Sequence, residues 1–101
     1  MVRNVYSIGE IRDIVAPIAK QHHVDSVYLF GSYARGEATA DSDIDLRVNK
    51  GSVKGLIALG AFYADLEDNL GKPLDLLTTG SLDQKFLQRI AKEEVLLYAG
   101  E

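Results

Sequence analysis

Three aspartates and one glycine-serine pair are the candidate catalytic and binding residues of this sequence. Asp43 and Asp45 stand two residues apart in a segment that alternates polar and apolar side chains. In a strand, both carboxylates would leave the same face from backbone positions about 7 Å apart. Carboxylate oxygens are hard donors, so such a pair suits Mg²⁺ better than zinc.

A third carboxylate, Asp75, lies in an apolar run from Leu74 to Thr78 that predicts another strand. Because neighbouring strands lie about 4.8 Å apart, Asp75 would complete a three-carboxylate cluster if the two strands are close in the sheet. Three negative charges on one face are unfavourable unless a cation neutralises them. The aspartates together therefore indicate a divalent-cation site.

Gly31 and Ser32 precede this pair by ten intervening residues. A glycine allows the backbone to approach a ligand closely, and Ser32 offers a hydroxyl where a short helix could begin and point N–H groups at a phosphate. An Asp-x-Asp pair alone is usually a solvated strand or turn feature, and Gly-Ser alone is a common turn. The combination at this spacing is more specific and favours a phosphate-and-metal site.

The segments around these residues alternate between helix and strand patterns. Ser7 and Glu10 have the spacing of a capping box, which predicts a first helix. The apolar run Val27 to Phe30 stops at glycine, which favours a buried strand. The segment from Asp43 to Val48 has period two, which predicts a strand with one buried and one polar face.

The second half of the chain continues this alternation. Ser52 is predicted to cap a longer helix that ends at Gly71, and Ser81 with Gln84 predicts a capping box for another helix. The tail from Glu93 to Ala99 suits either a strand or a helix. We therefore predict an α/β or α+β domain with a small sheet. Four apolar residues of the longer helix lie at helical spacing and are predicted to belong to the core: Phe62, Tyr63, Leu66 and Leu70. Any apolar residues left over on that helix could serve a partner interface.

Length and composition limit the classes of function. The chain has 101 residues, a formal net charge of −4 and no cysteine. We expect one domain, residues 1–101, without disulfides or thiolate metal sites. The acidic balance argues against direct nucleic-acid binding. Charges interrupt every apolar run near the start, so we expect neither a signal peptide nor a membrane span, and a cytoplasmic location.

The spacing of Gly31-Ser32 and Asp43-x-Asp45 resembles the signature of the DNA polymerase β-like nucleotidyltransferase superfamily. The run LFGSYARGEATADSDIDLRV is similar to its minimal nucleotidyltransferase (MNT) branch, and the likeness extends to LDLLT and the tail RIAKEEVLLYAGE. It implies a small mixed β-sheet packed by helices and Mg²⁺-dependent transfer of a nucleoside monophosphate. Small MNT proteins accompany HEPN-domain proteins as antitoxins of the MntA type. The resemblance thus implies AMP transfer from ATP to a tyrosine of a HEPN ribonuclease toxin, with a possible hetero-oligomer of the two proteins.

The same resemblance implies roles for individual residues. Gly31 and Ser32 would hold the β- and γ-phosphates, Asp43 and Asp45 would bind two Mg²⁺ ions, and Asp75 would bind one ion and act on the attacking hydroxyl. These assignments agree with the physical argument, because nucleotidyl transfer needs mainly positioning and charge neutralisation.

Two arginines are candidate nucleotide-binding residues. Arg35 belongs to the Ala-Arg-Gly of the motif and could contact the nucleotide or a partner, or be solvated in a loop. Arg47 stands where many relatives have a small or apolar residue. It could contact the triphosphate or the partner, but a salt bridge that orients one of the aspartates is slightly favoured.

Two other functions stay open on the sequence. A non-catalytic antitoxin would neutralise the toxin by binding alone, which the short acidic chain allows. A small-molecule nucleotidyltransferase is less favoured, because no appended domain is present to grip a small acceptor.

Overall fold

A mixed four-stranded sheet organises the chain. The computed structural model describes residues 5–53 and 55–100. The elements in chain order are α1 (Ile8–Gln21), β1 (Ser26–Phe30), α2 (Ser32–Arg35), β2 (Ile44–Asn49), α3 (Leu56–Leu70), β3 (Leu74–Thr78), α4 (Gln84–Ala91) and β4 (Val95–Ala99). The strand order is β3-β2-β1-β4, in which β1 pairs antiparallel with both β2 and β4, whereas β2 and β3 run parallel.

The predicted capping box of α1 is confirmed. The Ser7 hydroxyl accepts from the Glu10 backbone N–H at 3.0 Å, and the Ser7 N–H donates to the Glu10 carboxylate at 2.8 Å. Two N–H groups that would otherwise lack helical partners are thereby satisfied. The helix then buries one stripe against the sheet, formed by Ile11, Val15, Ile18 and Ala19.

Helix α3 ends as predicted but begins later than predicted. Gly71 adopts a left-handed conformation at φ +66° and its N–H donates to the Glu67 carbonyl, which stops the helix. The prediction that Ser52 caps the helix is wrong, because Gly55 is the N-cap residue. Ser52 lies instead in a turn whose next residue, Val53, is buried in the core.

The predicted Ser81–Gln84 capping box is also wrong. Asp83 is the N-cap of α4, and its carboxylate accepts from the Phe86 N–H at 2.8 Å. The Ser81 hydroxyl instead donates to the carbonyl of Thr78 at the end of β3. The tail that the sequence left undecided is the edge strand β4.

The two faces of the sheet differ in chemistry. Helices α1 and α3 cover the apolar face, where alternate β2 residues Ile44, Leu46 and Val48 are fully buried. Asp45 and Arg47 therefore point to the opposite face, because successive strand residues alternate sides. The mixed sheet and its helical cover confirm the predicted fold class. None of the described helices is long and apolar enough to span a membrane.

Candidate active site

The glycine-serine turn connects β1 to the single-turn helix α2. Gly31 follows β1 with φ +78° and ψ −157°, a conformation that is essentially restricted to glycine. A Cβ built on Gly31 would lie 3.0 Å from the Asp45 Cγ and would overlap its carboxylate. Asp45 therefore packs directly against the backbone of the turn. The glycine is required both by its dihedral angles and by this close approach.

Asp43 and Asp75 are charged neighbours of Asp45 near this turn. Asp45 is the second residue of β2 and stands in register with Asp75, the second residue of the adjacent parallel strand β3. Strand neighbours lie about 4.8 Å apart at the backbone, and paired residues face the same side. Asp43 lies one residue before β2. Strands β2 and β3 are thus neighbours in the sheet, as the predicted cluster requires.

The electrostatic environment of Asp45 reflects this crowding. The pKa of Asp45 is raised from 3.8 to about 6, first by partial burial and then by the negative charges of Asp75, Asp43 and Glu93. The guanidinium of Arg35 acts in the opposite direction. At neutral pH the ionised Asp45 is consequently held in a site with an excess of negative charge, which a cation would relieve.

The donor set fits Mg²⁺ by type and charge. Asp43, Asp45 and Asp75 would supply only hard oxygen ligands, and a divalent ion would offset the part of the raised Asp45 pKa that comes from the charges of Asp75 and Asp43, each of which contributes less than burial does. Within residues 5–53 and 55–100, no three acidic, histidine or cysteine side chains already converge as a metal cage. Mg²⁺ usually uses one or two carboxylates together with substrate phosphates, so a preformed cage is not what this ion requires.

Arg35, at the end of α2, carries two carboxylate partners. Its Nε donates to Glu37 at 2.9 Å, and its Nη1 donates to both carboxylate oxygens of Glu93 at 3.2 Å. The Glu93 carboxylate also accepts from the Gly31 backbone N–H at 2.6 Å. Arg35 therefore lies beside the glycine-serine turn through its contact with Glu93, while 44% of its side chain stays exposed to solvent.

Arg47 pairs with Glu94, and the predicted salt bridge to an aspartate is wrong. Its Nε and Nη2 donate to the two oxygens of Glu94 at 2.5 and 2.9 Å, and Nη1 donates to the Thr79 hydroxyl at 2.7 Å. The guanidinium also lies 4.4 Å from the centre of the Tyr28 ring. Only 12% of the Arg47 side chain and 9% of the Glu94 side chain are exposed, so Arg47 is committed to this pair in the structure.

Sequence reasoning did not single out Glu93 and Glu94. They lie between α4 and β4, and each reaches back to a predicted site residue more than 45 positions earlier in the chain. The available signal was an adjacent acidic pair immediately before an apolar run, which by itself indicates only a solvated turn. Their importance depends on the placement of β4 beside β1.

Comparison with known proteins agrees with the fold and the motif. A family model described as polymerase beta, nucleotidyltransferase, matches residues 12–101. A provisionally named protein adenylyltransferase of Methanocaldococcus jannaschii is 40% identical over 89 residues, which are 88% of this chain and 96% of that protein. The protein adenylyltransferase MntA of Thermococcus cleftensis is 35% identical over 72 residues, which are 71% of this chain and 73% of that protein.

A solved structure extends the comparison to three dimensions. A chain from the complex of tri-AMPylated Shewanella oneidensis HEPN toxin with MNT antitoxin matches with a TM-score of 0.69 and 20% identity. The match covers 92% of this chain and 73% of that chain, and it supports the fold. The chain belongs to the polymerase beta nucleotidyltransferase family, in which the Methanocaldococcus and Thermococcus relatives are named protein adenylyltransferases.

Proposed function

We propose that the protein is an antitoxin that transfers AMP from ATP, with Mg²⁺, to a tyrosine of a HEPN-domain toxin and thereby inactivates it. The observation that carries the proposal is the register of Asp45 with Asp75 beside the Gly31 turn. Relatives named protein adenylyltransferase, and the AMPylated toxin in the complex with an MNT antitoxin, support the reaction and the partner.

The residues of the site divide into two groups by charge. Gly31, Ser32 and Arg35 would hold the triphosphate through N–H, hydroxyl and guanidinium donors. Asp43 and Asp45, with Asp75, would hold Mg²⁺ through carboxylate oxygens. When bound, Mg²⁺ supplies positive charge that neutralises the triphosphate and favours the ionised form of the attacking hydroxyl. Arg47 is not assigned to the triphosphate, because Glu94 already pairs with it.

The transfer itself needs one proton acceptor. The tyrosine oxygen attacks the α-phosphorus of ATP, forming a P–O bond as the bond to the bridging oxygen of pyrophosphate breaks. The tyrosine proton passes to the carboxylate of Asp75, and pyrophosphate leaves. Asp75 is exposed on the edge strand β3, so a side chain of a second protein can reach it. This openness favours a macromolecular acceptor over a small one.

Label transfer tests the proposal directly. The protein is incubated with α-labelled ATP, Mg²⁺ and the HEPN toxin, and compared with Asp43→Ala/Asp45→Ala. We expect label on the toxin with the unmodified protein and none with the double variant. The matched control is Glu67→Ala/Asp68→Ala, which removes two exposed carboxylates from α3 and should transfer label normally. Label transfer by Asp43→Ala/Asp45→Ala would overturn the assignment.

Neutralisation by binding alone is a second candidate, favoured by one observation. Leu56 and Ile57 at the start of α3 are 86% and 91% exposed, which is unusual for two adjacent large apolar side chains and is typical of a contact surface. If binding suffices, Asp43→Ala/Asp45→Ala should still protect cells from the toxin. Loss of protection while the complex still forms would reject this candidate.

A further inference from the structure

The carboxylate of Glu93 occupies donors that a phosphate would use. It accepts from the Gly31 N–H at 2.6 Å and from Nη1 of Arg35 at 3.2 Å. A backbone N–H next to an arginine is a donor set typical of oxyanion binding, and a carboxylate is itself an oxyanion. Glu93 thus satisfies, from within the chain, the groups that the proposed function assigns to the triphosphate.

The two anions cannot share these donors. A backbone N–H has a single hydrogen, so a phosphate oxygen can accept from Gly31 only after Glu93 has left. Glu93 also adds a negative charge to the neighbourhood of Asp45. A triphosphate would meet that charge in addition to the three aspartates, and like charges at short range oppose binding.

We propose that Glu93 is an internal competitor of the nucleotide, which accepts hydrogen bonds from the glycine-serine turn and from Arg35 and must rotate away when a triphosphate binds. The inference rests on the proposed function for the identity of the ligand. Its new content is a residue that sets nucleotide affinity without belonging to the signature motif.

The surroundings of Glu93 allow this movement. Its side chain is 24% exposed and that of Arg35 is 44% exposed, so neither is packed in the core. The backbone of the turn is held independently, because Glu94 is paired with the buried Arg47 and the Glu93 N–H donates to the Ile90 carbonyl. The side chain can therefore rotate away while the turn and β4 stay in place.

Calorimetric titration with ATP and with inorganic tripolyphosphate, each with Mg²⁺, tests the proposal. We expect Glu93→Gln and Glu93→Ala to bind both ligands about tenfold more tightly, since each variant loses a charge-assisted contact that the ligand must displace. The matched control is Glu37→Gln, which removes the other carboxylate partner of Arg35 without touching the Gly31 N–H. It should change affinity less than Glu93→Gln.

Equal or weaker ATP binding by both Glu93 variants would overturn the proposal. Glu93 would then be a positioning residue, because its loss would leave Arg35 and the turn without its hydrogen bonds. If neither variant folds, a crystal structure of the unmodified protein with Mg²⁺ and ATP decides. Glu93 still bonded to Gly31 in that complex overturns the proposal, and Glu93 displaced from it supports the proposal.

Binding and transfer separate this inference from the proposed function. Tighter ATP binding by Glu93→Gln without AMP transfer to the toxin by any form supports the competitor role and rejects the adenylyltransferase activity. AMP transfer with unchanged ATP affinity in Glu93→Gln supports the adenylyltransferase activity and rejects the competitor role. Failure of every form to bind either ligand overturns both.

Discussion

Replacing Asp45 by asparagine should stabilise the protein while it abolishes AMP transfer. Asp45 is partly buried against Gly31 and faces the charges of Asp75 and Asp43, so its ionised form is disfavoured in the folded chain. Asparagine has nearly the same volume and carries no charge. Asp45→Asn therefore removes the repulsion without opening a cavity.

The size of the effect follows from the pKa of Asp45. That pKa rises from 3.8 to about 6 on folding, and each pKa unit corresponds to about 1.4 kcal/mol. The full difference would destabilise the folded protein by about 3 kcal/mol at neutral pH. Because the carboxylate keeps contact with solvent, screening reduces the expected gain for Asp45→Asn to about 1 to 2 kcal/mol.

The gain should depend on pH in a defined direction. Well below pH 3.8, the ordinary pKa of the group, the Asp45 carboxyl is protonated in both the folded and the unfolded chain, so the two proteins should be equally stable. As pH rises toward about 6, the unfolded chain releases its proton first, and the free energy of unfolding of the unmodified protein falls. Above that range the carboxyl is ionised in both states, and the difference in free energy of unfolding between the two proteins reaches its full value.

Urea denaturation from pH 4 to pH 8 in the presence of EDTA measures this gap. Asp68→Asn, on the exposed side of α3, serves as a control and should stay within about 0.5 kcal/mol of the unmodified protein at every pH. A stability difference that is independent of pH, or an Asp45→Asn protein that is less stable than the unmodified one at pH 8, would contradict the raised pKa of Asp45.

Three further substitutions test the structure around the site. Gly31→Ala should cost about 2 to 3 kcal/mol of stability and abolish AMP transfer, because φ is +78° and the new Cβ overlaps Asp45, as chemical denaturation and label transfer would show. Arg47→Met should lower the free energy of unfolding by about 3 kcal/mol, because it leaves the largely buried carboxylate of Glu94 unpaired. Asp83→Ala should lower the free energy of unfolding by about 1 kcal/mol through loss of the α4 cap, measured by urea denaturation.

Each of these three substitutions has a matched control variant. Gly60, in the interior of α3, has open space around an added Cβ, so Gly60→Ala should be neutral or stabilising by up to about 1 kcal/mol. Equal losses for the two glycines would contradict the role given to Gly31. Arg47→Met/Glu94→Leu should recover stability relative to Arg47→Met alone, and no recovery would contradict the buried-pair argument. Ser81→Ala should cost less than Asp83→Ala, whereas the reverse order would restore Ser81 as the cap.

The first helix and strands β1, β2 and β3 could be predicted from the sequence because their determinants lie close together in the chain. The hydrogen bonds of the capping box join Ser7 and Glu10, which are three residues apart. The alternation of apolar and polar side chains along β2 indicates which of them face the core. Gly71 stops α3 through its own backbone conformation. The errors at Ser52 and Ser81 have a common cause, since several residues near a helix start can cap it and packing selects among them.

The chemistry of the candidate site could be predicted from the sequence, because four of its residues belong to one short segment whose spacing is visible along the chain: Gly31, Ser32, Asp43 and Asp45. The residues that surround this segment became known from the three-dimensional arrangement of the strands. The parallel pairing of β2 with β3 brings Asp75 into register with Asp45, and the placement of β4 beside β1 brings Glu93 and Glu94 to Gly31 and Arg47. Such contacts join residues far apart in sequence, and they form only when burial of the shared core fixes the order of the strands.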